Sequence, residues 1–223
     1  MYRRMSNQDC NCADPSVDES DAQTPATDSW IEARPVKNAE FPTPVADNMS
    51  RFFGASIDTF DDMVAAIRTV VEGDGIAIDE LCHVDSETPH YAKTASETYY
   101  FRCFYDGIAL AHLVDDPVEI RTETPTKEPI EIQASPGDDV DVTPSDAVMS
   151  FGVTTESDVP ADETPAAPDV YGAVCPYVKA FHTREDYERW AADVAATTVG
   201  IPLDAGVPIA AALTAAAPSE GVQ

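Results

Sequence analysis

Basic side chains are scarce in this chain. Thirteen Lys and Arg face 41 Asp and Glu among 223 residues, a formal net charge of -28. Nucleic acid is thereby excluded as a partner, because grip on a phosphate backbone needs a basic patch. Glycine is also sparse, at 10 residues, and none forms a Gly-rich phosphate loop. HExxH and CxxC spacings are missing, which removes the common zinc motifs. Long apolar runs are missing too. The most apolar stretch, 205–217, falls short of the roughly 20 residues that cross a bilayer. It is preceded by Pro202 and Asp204 and interrupted by Pro208. The start, Met1-Tyr-Arg-Arg-Met-Ser-Asn, leads into no apolar targeting segment. A cytoplasmic protein with no membrane partner is expected.

The acidic residues run along the whole chain. Self-repulsion of that size opposes compaction. At 1 M salt the screening length shrinks to about 3 Å, so the composition reads as adaptation to a salt-rich cytoplasm. The apolar fraction, 43%, is ordinary for a globular protein and allows a buried core. Five cysteines are present: Cys10, Cys12, Cys82, Cys103 and Cys175. An odd count with no secretion signal argues against a disulfide framework. The thiols are expected to be reduced and available as nucleophiles or metal ligands.

Three regions are expected. Residues 1–46 are rich in Asp, Ser, Thr and Pro and read as a disordered acidic leader, with a short docked piece around Trp30 and Ile31. Residues 47–92 read as a short helical, reduced winged-helix-like region. In it Phe60, Met63, Val64, Ile67, Val70 and Val71 mark one apolar face of a helix over 59–72. Thr59 with Asp62 signals the start and Gly73 the stop. A second short helix is expected at 78–84. Residues 93–218 read as the main domain. An aromatic run, Tyr99–Tyr105, passes into an apolar helix through Ile108, Leu110, Ala111 and Leu113. Strands are expected at 118–122, 130–134, 140–143 and 148–153, then an acidic surface loop over 155–169. An apolar strand over 171–181 would carry Cys175. A helix opened by Thr183 and Asp186 would bury Tyr187, Trp190, Ala191 and Val194, and an Ala-rich helix follows within 206–216. The fold class expected is α+β: a small mixed to antiparallel sheet with flanking helices.

Cys103 and Asp106 stand three apart where the aromatic run gives way to a helix. In a first helical turn both side chains share one face. A cysteine at a helix start is favoured as thiolate, and an aspartate among apolar neighbours can hold and deliver a proton. The alternative is a small core residue beside a helix-turn acid. On spacing alone, Cys175 reads as a buried structural thiol. The aromatic residues Tyr99, Phe101, Phe104 and Tyr105 would seat an organic group or, more simply, pack the core. Cys10-Asn-Cys12 offers a soft-metal pair or a bland leader segment. Cys82-His83 offers a ligand pair or one buried face and edge. His112, within the helix after Asp106, reads as packing or surface, His90 and His182 lack companions, and Cys103, His112 and Asp106 make no protease-like triad.

The segment Tyr100-Phe-Arg-Cys-Phe-Tyr-Asp-Gly-Ile-Ala-Leu-Ala-His resembles the alkylmercury (organomercurial) lyase family, as do Val174-Cys-Pro-Tyr-Val-Lys-Ala-Phe and the helix 183–190 ending in Trp190. The resemblance is collinear over roughly 97–216 and suits a divergent, haloarchaeal-like member. Arg102 departs from it, standing where the family usually has an aromatic. The resemblance implies that Cys103 and Cys175 take hold of mercury and that Asp106, beside them, handles the proton. It implies protonolysis of R–Hg–X to R–H, with Hg(II) left on the two sulfurs. Free thiols then remove the ion, with no organic cofactor and with mercuric reductase as a downstream acceptor. The alternative from a different class is a protein of the same fold that binds mercuric or cuprous ion without catalysis.

Overall fold

Thr59 takes extended backbone and its hydroxyl accepts the Asp62 amide, while the Asp62 carboxylate accepts the Thr59 amide. This reciprocal cap opens the helix Phe60–Val70, which buries Phe60, Met63, Val64 and Ile67. The computed structural model describes residues 29–32, 34–71, 75–135, 140–156 and 164–215. Cys10, Cys12, Gly73, residues 157–163 of the acidic loop and the end of the Ala-rich segment lie outside the described residues.

In chain order the helices are α1 (Thr43–Phe53), α2 (Phe60–Val70), α3 (Tyr105–Ala111), α4 (Ala167–Val174), α5 (Arg184–Ala191) and α6 (Val207–Thr214). The strands are β1 (Tyr91–Lys93), β2 (Thr98–Tyr100), β3 (Val118–Glu123), β4 (Pro129–Ala134), β5 (Val140–Thr143), β6 (Val148–Thr154), β7 (Ala180–Phe181) and β8 (Ala196–Pro202). They form two antiparallel sheets, ordered β2-β1-β3-β4-β5 and β7-β6-β8. The fold is α+β. In β3 and β4 burial alternates, with Ile120 paired to Ile132 and Thr122 to Ile130 on the covered face. Strand β6 is buried at every position from Val148 to Val153, so it lies at the centre of the core.

Rings carry the packing between layers. Phe60 of α2 meets Phe41 edge-on at 4.7 Å and Phe151 of β6 at 5.1 Å, and Tyr105 of α3 meets Phe151 from another side at 5.1 Å. Asn48 of α1 is buried, and its amide donates to the Val153 and Thr154 carbonyls and to Thr197 Oγ1. Gly107 lets α3 close on the larger sheet, since a Cβ there would stand 2.9 Å from Ile120 Cγ2.

Several expectations change. The described chain is ordered well before residue 46: Val36–Asn38 form a 3-10 turn and α1 begins at Thr43. Pro44 at its first turn suits a helix start. The docked piece at Trp30 is present: the Ile31 amide bonds the Gly200 carbonyl at 3.0 Å, and Gly200 returns a bond to Ser29 at 2.7 Å. The helix expected at 78–84 is only a 3-10 turn, Ile78–Glu80, because the chain after it pairs with the aromatic run. The strand expected over 171–181 is largely helix: α4 ends at Val174, Cys175–Tyr177 form a 3-10 turn, and only Ala180–Phe181 is strand. Asp169 accepts the Ala166 amide at 2.8 Å and opens α4, and short apolar runs do not distinguish buried helix from buried strand. Strands β1 and β8 were not anticipated. In α5 only Tyr187 is fully covered; Trp190 and Ala191 pack partly buried in its cluster with Phe181 and Val148.

Gly200 is where the amino-terminal segment meets β8. A Cβ there would stand 2.4 Å from the Tyr187 ring and 2.8 Å from the Trp30 ring. Gly200→Ala is expected to destabilise the protein by about 1–3 kcal/mol through overpacking. It should also shift Trp30 fluorescence, both read in one urea titration. An unchanged midpoint would contradict the close packing.

Candidate active site

The aromatic run ends in strand β2 and a bridge residue, Phe101, which is fully buried. The chain then turns into α3, whose cap position is Phe104. Phenylalanine has no side-chain acceptor for the first helical amide. The sulfur of Cys103 takes that role: the Tyr105 amide donates to Cys103 Sγ at 3.4 Å. A donor aimed at sulfur stabilises negative charge there. On its other side the Cys103 thiol donates to the Val178 carbonyl at 3.9 Å. The sulfur is thus buried between one group that favours thiolate and one that favours thiol.

Val178 closes the turn that carries the second cysteine. Its amide bonds the Cys175 carbonyl at 3.2 Å. Cys175 sits at the junction of α4 and the 3-10 turn, half-buried against the main core. Pro176, with no amide hydrogen, stops α4 from continuing. The turn is clamped to β6 by Ser150. Its hydroxyl donates to the Tyr177 carbonyl at 2.8 Å and accepts the Lys179 amide at 3.2 Å. The Ser150 amide bonds the Lys179 carbonyl at 2.9 Å.

Asp106 is half-buried in the first turn of α3. Its carboxylate accepts the backbone amide of Cys82 at 3.4 Å. Cys103 and Asp106 therefore share one helix start, and the Cys103 sulfur touches the turn that opens with Cys175. Among the described residues no three or more His, Cys, Asp and Glu side chains gather closely enough to hold a metal ion.

The other candidates fall elsewhere. Phe101, Phe104 and Tyr105 are core residues, and of the four aromatics only Tyr99 is partly open. Cys82 is buried. His83 bonds the Ile78 carbonyl through Nε2 at 2.6 Å and packs on Phe101 at 5.1 Å. His90 bonds Thr122 Oγ1 at 2.7 Å, and His182 the Pro129 carbonyl at 3.0 Å. His112 ends α3. Sequence reading missed Ser150, whose only signal is a lone hydroxyl in the apolar run Val148-Met-Ser-Phe. It also missed Tyr105 as a buried phenol, which donates to the Gly206 carbonyl at 2.8 Å. Burial holds that phenol's pKa well above its usual value, and the nearby Cys103 charge adds to the rise.

The alkylmercury lyase family model, MerB, matches residues 84–215, more than half of the chain. The chain belongs to the alkylmercury lyase family. The match spans α3, both sheets and the turn at Cys175. Among solved structures, the mercury-bound form of MerB2 is similar with a TM-score of 0.42 and 14% identity, covering 76% of this chain and 88% of that one. None of the curated proteins matches. Among the described residues no helix is long and apolar enough to cross a membrane.

Two measurements test the local chemistry of this family member. Ser150→Ala leaves the Tyr177 carbonyl and Lys179 amide without their buried partner. It is expected to cost about 1–3 kcal/mol in chemical denaturation. Tyr105 is favoured neutral in the fold, so its stabilising contribution is intact below its unfolded value near 10 and is lost as pH rises beyond it. In absorbance at 295 nm, the last tyrosine to ionise should titrate at lower pH in Cys103→Ser than in the parent. No shift would show that the thiolate charge does not reach the phenol.

Proposed function

We propose that this alkylmercury lyase family member cleaves the carbon–mercury bond of organomercurials by protonolysis. Cys103, Cys175 and Asp106 would be its catalytic residues. The observation that supports this reading best is the contact of Cys103 Sγ with the Val178 carbonyl, because it joins the Cys103–Asp106 helix start to the turn that opens with Cys175. Soft thiolates select a soft metal such as mercury over hard cations.

In this reading Cys103 thiolate attacks the mercury of R–Hg–X, forming a sulfur–mercury bond and releasing X⁻. The Cys175 thiol binds next and gives its proton to the Asp106 carboxylate. Two sulfurs push electron density onto the metal. Asp106 then protonates the bound carbon as a general acid. The carbon–mercury electron pair becomes the new C–H bond and R–H leaves. Hg(II) remains on Cys103 and Cys175 until two free cellular thiols exchange it away. Mercury is substrate and product, and no organic cofactor enters the scheme. A cytoplasmic setting rich in salt and reduced thiols suits it, with mercuric reductase as the acceptor that would consume the released ion.

Benzene release from phenylmercury, in concentrated salt with excess thiol, tests the proposal. The parent protein should turn over. Cys103→Ser and Cys175→Ser should lose at least about 100-fold. Asp106→Asn should keep mercuric ion binding and lose about 100-fold or more in protonolysis, the scale of a missing general acid. Tight binding of mercuric ion with no benzene from the parent protein would replace the lyase by a non-catalytic soft-metal binder.

A further inference from the structure

Residues 78–83 touch the flank of each proposed catalytic residue, although they precede the segment matched by the family model. The Cys82 amide donates to Asp106 Oδ1 at 3.4 Å. The Cys82 carbonyl accepts the amide of Arg102, the neighbour of Cys103, at 3.2 Å. One peptide step away, the Glu80 carbonyl accepts the hydroxyl of Tyr171 at 3.3 Å, and Tyr171 lies on α4, the helix that ends at Cys175. The segment is fixed from both ends. His83 Nε2 bonds the Ile78 carbonyl at 2.6 Å, and its ring packs on Phe101 and Tyr99. The Val84 amide bonds the Tyr100 carbonyl at 2.9 Å.

We propose that this strap, Ile78–His83, positions the Asp106 carboxyl between the two cysteines. The Cys82 peptide is the contact that does so, and His83 and Tyr171 are positioning residues. The proposal rests on the lyase reading for its catalytic consequence. An amide aimed at one carboxyl oxygen restricts the rotation of the side chain. Side-chain carboxyls at a helix surface otherwise sample several rotamers, and a displacement of about 1 Å can cost about 100-fold in rate. The strap also couples the two halves of the site. A shift of α4 as mercury bridges the sulfurs reaches Asp106 through Tyr171, Glu80 and Cys82, without passing through the core. The strap contacts described above fall on Asp106, on the Arg102 amide and on Tyr171, and mercury capture itself should not depend on them.

Three substitutions and one spectrum test this. His83→Ala removes the ring and its bond to Ile78, His83→Gln restores a donor near the Nε2 position, and Tyr171→Phe removes only the hydroxyl. In the phenylmercury assay His83→Ala should lower kcat about tenfold and Tyr171→Phe about threefold, with KM and mercuric ion binding changed by less than about twofold. His83→Gln should recover most of the loss. In protein labelled with ¹⁵N-cysteine, the Cys82 amide proton, identified by its loss in Cys82→Ala, should move upfield in Asp106→Ala. The Cys175 amide should stay in place. Losses of kcat that merely follow the folded fraction, no recovery in His83→Gln, or a Cys82 amide that ignores Asp106→Ala would each overturn the proposal. Should the parent protein release no benzene, the lyase reading fails by itself, and the Cys82 amide response decides whether the strap holds Asp106.

Discussion

The hydroxyl of Ser150 holds the arrangement together. It sits in a strand with no exposure, where an unpaired polar group costs free energy. It meets that demand by taking both the Tyr177 carbonyl and the Lys179 amide. Those two groups bracket Val178, whose carbonyl meets the Cys103 sulfur. One buried side chain thus ties the central strand to the turn that begins with Cys175, and through it to the start of α3. Had Ser150 been valine, the backbone bond to the Lys179 carbonyl would remain, but the Tyr177 carbonyl and the Lys179 amide would lose their buried partner.

Around that clamp the fold uses backbone more than side chains. The Cys103 sulfur is bounded by an amide and a carbonyl, and Asp106 is met by an amide. Backbone groups cannot rotate away as side chains do, so their geometry is set once the elements pack. The rings of Phe60, Phe151 and Tyr105 supply that packing. The Tyr105 hydroxyl extends it to Gly206, whose missing side chain makes room for the Met149 sulfur. The chemistry proposed for the site needs two soft donors and a proton carrier, and main-chain contacts hold the helix start that carries Cys103 and Asp106 and the turn that opens with Cys175.

Much of this was legible from residue order, and the limits were physical. Alternation at Val118, Ile120, Ile130 and Ile132 has only one economical folding, a strand pair, and the Thr59–Asp62 cap has only one meaning. That Cys103 and Asp106 share one helix start was legible because they stand three apart where the aromatic run ends. The segment before Cys175 was misread because Val170-Tyr-Gly-Ala-Val is apolar at every period, and what marks the helix lies upstream, where the Asp169 carboxylate accepts the Ala166 amide. Strand β8, Ala196–Pro202, carries little alternation because both of its faces are covered along much of its length. The 78–84 segment was read as helix since its place depends on pairing with residues about twenty positions away, which no local pattern encodes.

The docking of Trp30 on β8 has a consequence for how copies of the chain coexist. Strand β8 closes one side of the three-stranded sheet, and a bare side offers unpaired amides and carbonyls to any neighbour. Here the stretch around Ser29 and Ile31 occupies those groups at Gly200, with Arg184 lying 4.8 Å over the Trp30 ring to keep it seated. Like charge normally keeps so acidic a protein dispersed. At 1 M salt that repulsion would be screened to about 3 Å, and the bonds at Gly200 keep that point of the β8 edge paired within its own chain.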